Sequence, residues 1–196
     1  MPLIYVNQVG GQDELVFDGA SMALNSDGSV AAQAEQYQQS LTPVRVRPGT
    51  VAVLEQGPVA KLLEPAAELY QALVLGTRDY VNKNGFKGVV LGLSGGIDSA
   101  LTLALAVDAL GAEHVHAVMM PSRHTSQLSL DLAREQADML QVAYREIAIE
   151  PAFEALLDSL EVSFEGCKTD VTEENLQARV RGSLLMALSN KFGWMV

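Results

Sequence analysis

The residues best suited to chemistry stand together in one short loop, Ser94–Ser99, whose sequence is SGGIDS. The loop follows an apolar run, Val89–Leu93, and precedes an apolar pattern with helical spacing. A strand–glycine loop–helix unit brings backbone N–H groups and the positive end of a helix dipole to one point, which favours an anion such as phosphate. Gly95 and Gly96 have no Cβ, so the backbone can turn sharply and approach a ligand closely.

The acid in this loop indicates a metal ion. Ser94 and Ser99 add hydroxyl donors, whereas Asp98 would repel phosphate unless it holds a hard cation such as Mg²⁺ that bridges to the phosphates. The Lys-Ser or Lys-Thr pair of a P-loop and the G-x-G-x-x-G dinucleotide fingerprint are both absent. The alternative is a plain strand–helix turn in which glycine and serine only ease the bend.

The composition excludes several other classes of function. The net charge of -11 argues against general nucleic-acid binding, which usually needs a basic stripe. No run of about 18 apolar residues indicates a membrane span, and the first residues do not resemble a secretory signal. The single cysteine, Cys167, fits a reducing compartment, so we expect a cytoplasmic protein in which Cys167 is an ordinary loop residue.

Strands alternate with helices in the second part of the sequence, which predicts an α/β fold with a doubly wound parallel sheet. The first part is expected to form short strands around an Asp-Gly turn at Asn25–Ser29. The strands are predicted at Ile4–Val6, Leu15–Leu24, Leu41–Val46, Val89–Leu93, Val115–Met119 and Tyr144–Ala148, with a fourth parallel strand beginning in Phe192–Val196. The helices are predicted from Leu62 to Tyr80, Ser99 to Leu110, Gln127 to Leu140, Pro151 to Leu160, and from Thr172 onward with Thr172 as its cap.

Several stretches resemble known families. SGGIDS resembles the loop of the ATP pyrophosphatase superfamily, which implies an adenine-nucleotide α-hydrolase-like fold and cleavage of ATP between its α and β phosphates. The lead-in LVLGTRDYVNKNGFKGVVLGLSGGIDSAL and the later MMPSRHTSQLSLDLAREQADML and TEENLQARVRGSLLMALSNKFGWMV resemble NAD synthetases. The opening PLIYVNQVGGQDELVFDGASMALNSDG resembles the last part of a nitrilase-type glutaminase domain, and the combination resembles the glutamine-dependent NAD⁺ synthetase family.

This resemblance implies a domain organisation. Residues 1–46 would be the C-terminal remnant of a nitrilase-like glutaminase domain, 47–58 a linker, and 59–196 the truncated N-terminal part of the synthetase domain. The family's glutaminase Glu–Lys–Cys set and a downstream Thr-Gly-Asn-Lys-Ser-Glu segment do not occur in the sequence. We therefore interpret the chain as an internal fragment that is not active alone.

The resemblance also implies the reaction. ATP activates the carboxylate of deamido-NAD⁺ as an adenylate, and ammonia from glutamine displaces AMP to give NAD⁺. The implied requirements are ATP and Mg²⁺, with a homodimer or higher homo-oligomer and no protein nucleophile in this chain. The pyrophosphate that leaves carries several charges, which the loop amides, the helix end and Mg²⁺ would stabilise.

Family position assigns the candidate site residues. Asp98 is assigned to Mg²⁺, Ser122 and Arg123 to the ATP side, and Asn175 and Arg179 to deamido-NAD⁺. His124 stands where close relatives are expected to have tyrosine, so we interpret it as a solvated loop residue. The residues expected to line ATP in the loop itself are Gly92, Leu93, Ser94, Gly95, Gly96, Ile97, Asp98 and Ser99.

Two other functions compete with this interpretation. Another adenylating enzyme with an SGGxDS loop, such as a GMP synthetase, would share the ATP chemistry and differ in the acceptor. A non-catalytic nucleotide-binding module would share the loop and lack the reaction. TEENLQAR and PSRHTS favour the NAD synthetase assignment over the GMP synthetase.

Overall fold

The computed structural model describes all residues from 1 to 196. Two compact units make up the chain, Met1–Tyr80 and Val81–Val196. None of the helices combines the length and the apolarity that crossing a membrane requires. The boundary between the units falls inside a helix, so the domain assignment of 1–46, 47–58 and 59–196 stays a prediction from the resemblance.

Short antiparallel strands dominate the first unit. Strands β1, β4 and β5 form one sheet in the order β1-β4-β5, while β2 pairs with β3 and β6 pairs with β7. Its small core contains mainly alanine, with Ala23, Ala31, Ala32 and Leu54 buried. The strands are β1 (Leu3–Tyr5), β2 (Val9–Gln12), β3 (Leu15–Asp18), β4 (Met22–Leu24), β5 (Val30–Gln33), β6 (Val46–Arg47) and β7 (Val53–Leu54).

Two strand predictions in this unit are wrong. Leu15–Leu24 is not one strand, because the chain turns at Gly19 and Ala20, whose φ angles are 75° and 50°. Of Leu41–Val46, only Val46 belongs to a strand. The turn at Asn25–Ser29 is confirmed, with the Asn25 amide donating to the Ser29 carbonyl at 2.9 Å.

The predicted amphipathic helix is α1 (Pro65–Lys83). It begins later than the pattern from Leu62 indicated, because proline is favoured in the first helical turn. Leu62 and Leu63 therefore lie before the helix and are exposed. Within the first unit, the Asp79 carboxylate accepts a hydrogen bond of 2.8 Å from the Gly11 amide, which joins α1 to β2.

The second unit holds the parallel sheet that the sequence predicts. Its three strands pair in the order β10-β9-β8, and both pairings are parallel. The α/β doubly wound fold class is thereby confirmed. The elements are β8 (Val89–Gly92), α2 (Ile97–Leu110), β9 (Val115–Met119), α3 (Gln127–Met139), β10 (Ala143–Glu146), α4 (Glu150–Leu160) and α5 (Val171–Phe192).

Each face of this sheet has its own buried core. On one face, Leu103 and Ala106 of α2 and Ala133 and Ala137 of α3 pack against the strands. On the other face, Val90 and Val118 of the strands meet Phe153 of α4 and Val180 of α5, together with Ile149, Met120 and Trp194. Helices cover both faces of the sheet. In sheets of this kind, ligands bind among the loops at the carboxyl ends of the strands.

The last helix corrects one expectation. Asp170, not Thr172, is the N-cap: its carboxylate accepts from the Thr172 amide at 2.8 Å, and the Glu173 carboxylate accepts from the Asp170 amide at 2.8 Å. The helix ends at Phe192, and the predicted beginning of a fourth parallel strand in 192–196 is confirmed at Met195, after the turn at Gly193. Only Met195 pairs with the sheet, in a parallel bridge to Val89 on the side of β8 opposite β9.

Candidate functional site

The loop between β8 and α2 is held in one shape by a close backbone contact. Gly95 has φ of 78°, a conformation that favours glycine. A Cβ at this position would lie 2.3 Å from the carbonyl oxygen of Ser129 in α3. Two features therefore require glycine at this position: the positive backbone angle and the close approach of α3.

The two serine hydroxyls of the loop bind each other. Their Oγ atoms are 3.0 Å apart, and the Ser99 hydroxyl also lies 2.9 Å from the Gly96 carbonyl oxygen, to which it donates. The Ser94 amide donates to Ser99 Oγ at 3.2 Å, and the Gly96 amide donates to Ser94 Oγ at 3.2 Å. These bonds join the two ends of the loop to each other.

The first turn of α2 presents a positive helix end to solvent. Gly96 is the N-cap residue, and no side chain caps the turn that follows. Ile97 is 80% exposed although it is apolar, and Asp98 is also exposed. An uncapped and exposed helix start supplies the N–H donors and the dipole that bind a phosphate group.

Asp98 suits a metal that is shared with a ligand. No group of three His, Cys, Asp or Glu residues could hold a metal ion by itself. Mg²⁺ commonly keeps several waters and binds through one or two carboxylates plus substrate phosphates. An exposed carboxylate in the first turn beside the phosphate-type loop meets this requirement.

A cleft opens at the carboxyl ends of β8 and β9. Its volume is about 340 Å³. One wall is Gly92, Leu93 and Ser94 of the loop, and another is the end of β9 at Met120. Thr125 and Arg181 complete the polar lining.

Ser122 and Arg123 lie in the loop after β9, but their polar groups already have protein partners. Ser122 Oγ accepts from the His124 amide at 3.3 Å. The Arg123 guanidinium lies 2.7 Å from the nearest Glu150 oxygen and 2.8 Å from Glu154. A hydrogen bond from Arg123 is the main cause that lowers the pKa of Glu150 from 4.5 to about 2. Most of the charge of Arg123 is thus balanced by α4.

Asn175 and Arg179 lie on α5, and neither lines the cleft beside Ser94. Both are exposed. Arg179 borders a separate groove of about 540 Å³ between α4 and α5, with Ala155 and Leu156 on its other side. Their assignment to deamido-NAD⁺ stays a prediction.

The sequence interpretation missed Arg181. Its Nε donates to the Met120 carbonyl at 3.1 Å, across 61 residues of sequence. Helical spacing places Arg181 on the same side of α5 as Leu185, whose Cδ1 lies 3.7 Å from the Cβ position of Gly92. That spacing was available in the sequence, but only the sheet order shows that this side of α5 faces the end of β8.

The NAD synthase family model matches residues 69–196, about two thirds of the chain. The chain belongs to the NAD synthase family. This confirms the resemblance on which the site residues were assigned, and the matched range contains the loop, the cleft and α5.

Individual relatives extend the match beyond that range. A glutamine-dependent NAD(+) synthetase of Acinetobacter baylyi is 50% identical over 196 residues, which are 99% of this chain and 36% of the relative. A structure of glutamine-dependent NAD+ synthetase from Acinetobacter baumannii in complex with ADP has a TM-score of 0.94 and 50% identity, covering 99% of this chain and 37% of that one. The chain thus spans little more than a third of these relatives.

Another solved structure matches a smaller share of the chain. The structure of an NMN synthetase from Francisella tularensis is 33% identical with a TM-score of 0.60, and it covers 67% of this chain and 53% of that one. The glutamine-dependent relatives also match the N-terminal third.

Proposed function

We propose that this chain is part of a glutamine-dependent NAD⁺ synthetase and contributes its ATP-binding loop. The reaction is the amidation of deamido-NAD⁺ with glutamine-derived ammonia, at the expense of ATP, giving NAD⁺, AMP and pyrophosphate. The relatives that match 99% of the chain are glutamine-dependent enzymes, which favours this reaction over one that uses free ammonia alone.

One observation carries the proposal: the loop fixed by Gly95 precedes an uncapped helix start at the carboxyl end of a parallel sheet. Open α/β sheets bind nucleotides at this end. The backbone amides and helix dipole match a ligand that carries several phosphate charges, as ATP does. We assign Gly92 through Ser99 to ATP, and Ser122 and Arg123 to the rim of the same site.

The chain's own groups would act electrostatically, by stabilising the negative charge that develops on the leaving pyrophosphate. A carboxylate oxygen of deamido-NAD⁺ forms a bond to the α phosphorus of ATP, and the bond from that phosphorus to the bridging oxygen breaks. The electron pair leaves with pyrophosphate, whose new charge is stabilised by N–H donors that are already in place. Ammonia then attacks the adenylated carbonyl and AMP leaves, so no side chain has to act as a nucleophile.

Asp98 is the residue of this chain that would hold Mg²⁺. Bound Mg²⁺ would neutralise phosphate charge and polarise the phosphoryl group. Without the cation, the Asp98 carboxylate would repel ATP, because both are negatively charged. The metal therefore reverses the effect of this side chain on nucleotide affinity.

The division of the chain follows from the same proposal. Residues 1–46 belong to the end of a nitrilase-like glutaminase domain, 47–58 to a linker and 59–196 to the synthetase domain. Asn175 and Arg179 are assigned to deamido-NAD⁺. The homodimeric or higher assembly and the cytoplasmic location stay predictions.

The acceptor is tested in the complete enzyme that carries this chain. Pyrophosphate release is measured with deamido-NAD⁺, nicotinate mononucleotide or xanthosine monophosphate as the only acceptor. We expect release with deamido-NAD⁺ alone. Deamido-NAD⁺ labelled with ¹⁸O in its carboxylate should pass one labelled oxygen to AMP, since the adenylate forms through that oxygen. Turnover of xanthosine monophosphate without turnover of deamido-NAD⁺ refutes the proposal.

The metal site is tested by titration calorimetry on Asp98→Asn. A lost charged ligand should weaken Mg-ATP binding about 10- to 100-fold. Metal-free ATP should bind the variant as well as or better than the unchanged protein, because the repulsion is gone. Asp138→Asn, an exposed carboxylate at the end of α3, is the control and should change neither affinity. Equal weakening with and without Mg²⁺ would remove Asp98 from the metal.

A further inference from the structure

Arg181 is a cation held at the edge of the cleft by the backbone. Its side chain is half-buried on α5, and its Nε donates to the Met120 carbonyl at 3.1 Å. This bond joins α5 to the residue that follows β9. It anchors the guanidinium group in the cleft that Ser94 also lines.

The charge of Arg181 is not balanced by a carboxylate. It forms no ion pair, whereas Arg123 binds Glu150 and Arg134 binds Glu146 at 2.6 Å. An arginine side chain has five N–H donors and stays protonated. The bond to Met120 uses one donor, so four remain for a ligand.

The cleft itself contains no acidic residue. Its lining consists of glycine, apolar residues, Ser94, Thr125 and Arg181. A partly desolvated cation in such surroundings attracts an anion more strongly than one in open water. Gly92, Leu93 and Ser94, which lead into the loop before α2, line the same cleft as Arg181.

We propose that Arg181 binds the phosphate chain of ATP in the cleft that it shares with Ser94. The proposal rests on the proposed function in that ATP is the ligand. The planar guanidinium fork matches two phosphate oxygens at once. When the bond between the α phosphorus and the bridging oxygen breaks, the electron pair passes to pyrophosphate, and Arg181 stabilises the added charge.

The test uses Arg181→Gln, which keeps a donor for the Met120 carbonyl and removes the charge. Calorimetry measures the binding of Mg-ATP, Mg-ADP and adenosine. We expect Mg-ATP affinity to fall about 10- to 100-fold, with adenosine affinity changing less than about 3-fold, because adenosine lacks phosphates. Arg134→Gln is the control on α3 and should leave all three affinities unchanged.

A second variant keeps the proposal testable if Arg181→Gln does not fold. Arg181→Lys retains the charge but cannot bind two oxygens in a planar fork, so we expect a smaller loss, about 3- to 10-fold for Mg-ATP. Equal losses for ATP and adenosine, or no loss for ATP in either variant, would overturn the proposal.

Activity measurements separate this proposal from the proposed function. In the complete enzyme, kcat for pyrophosphate release should fall in Arg181→Gln, since the arginine stabilises the leaving group. If the acceptor proves to be xanthosine monophosphate and Mg-ATP affinity still falls selectively, the role of Arg181 stands and the assigned reaction fails. If deamido-NAD⁺ is the acceptor and Arg181→Gln leaves the affinity for Mg-ATP unchanged, the assigned reaction stands and the role of Arg181 fails.

Discussion

Replacing Gly95 by alanine tests the shape of the loop most directly. The added Cβ would lie 2.3 Å from the Ser129 carbonyl oxygen and 2.9 Å from Ser129 Cα. Real Cβ atoms essentially never come within 3.0 Å of another heavy atom, so the loop and α3 have to separate. The neighbouring atoms are backbone, and no flexible side chain can move aside to relieve the contact.

The expected cost has two parts. Placing alanine at φ of 78° costs about 1 kcal/mol or somewhat more. Forcing two packed backbones apart costs about 1 to 3 kcal/mol beyond that. For a chain of this length, 1 kcal/mol corresponds to about 2 to 4 °C in Tm, so Gly95→Ala should lower Tm by roughly 5 to 15 °C.

Gly166→Ala is a matched control. Gly166 has φ of 80°, almost the same as Gly95, but nothing lies within 4 Å of its Cβ position. This variant should bear the cost of the backbone angle alone, about 2 to 4 °C. The difference between the two variants therefore isolates the contact with Ser129.

Thermal unfolding followed by tryptophan fluorescence is the assay, because it gives Tm directly. Trp194 is the only tryptophan and is buried in the second unit, so its emission reports the unfolding of that unit. Mg-ATP affinity is measured in parallel and should fall in Gly95→Ala and stay unchanged in Gly166→Ala. A Gly95→Ala variant no less stable than Gly166→Ala, with normal ATP affinity, would refute the argument from the close contact.

Three further predictions concern the elements around the loop. Glu150→Gln should lower Tm near neutral pH. Because the pKa of Glu150 is lowered from 4.5 to about 2, the stabilisation by its carboxylate is present above about pH 4.5 and is lost as pH falls toward 2. Plots of Tm against pH for the variant and the unchanged protein should therefore converge near pH 2. Ser126→Ala should cost about 1 kcal/mol in urea unfolding, because Ser126 caps α3, while Ser126→Asn should restore most of it. Leu103→Ala should cost about 2 to 5 kcal/mol because Leu103 is fully buried, against less than about 0.5 for the exposed Leu101→Ala; equal costs would contradict the assigned face of α2.

The loop and the alternation of strands with helices could be predicted because their signals are local. The apolar strand, the glycines and the apolar helical pattern are contiguous in Val89–Leu110, and each has a preferred backbone conformation. The same holds for Val115–Met119, which the structure has with the predicted bounds. Sequence spacing also gives the start of α3 at Gln127.

Local signals fail where neighbouring elements decide. Within Phe192–Val196 the predicted fourth strand begins only at Met195, because α5 continues to Phe192 and Gly193 ends that helix with φ of 74°. Leu15–Leu24 is mostly apolar, yet the left-handed turn at Gly19 and Ala20 divides it, so that β4 pairs with β1 and β5. Periodicity does not report which strand a segment will pair with.

The sequence by itself determined the α/β class, the family and the phosphate-type loop, because these depend on contiguous residues whose backbone preferences agree. Only the tertiary structure decided which cations are available to a ligand: Arg123 is bound by Glu150 and Glu154, while Arg181 meets a carbonyl at the cleft. It also decided why Gly95 must be glycine, through Ser129. Such pairings join residues far apart in the chain, and the packing of helices on the sheet sets them, which no local pattern records.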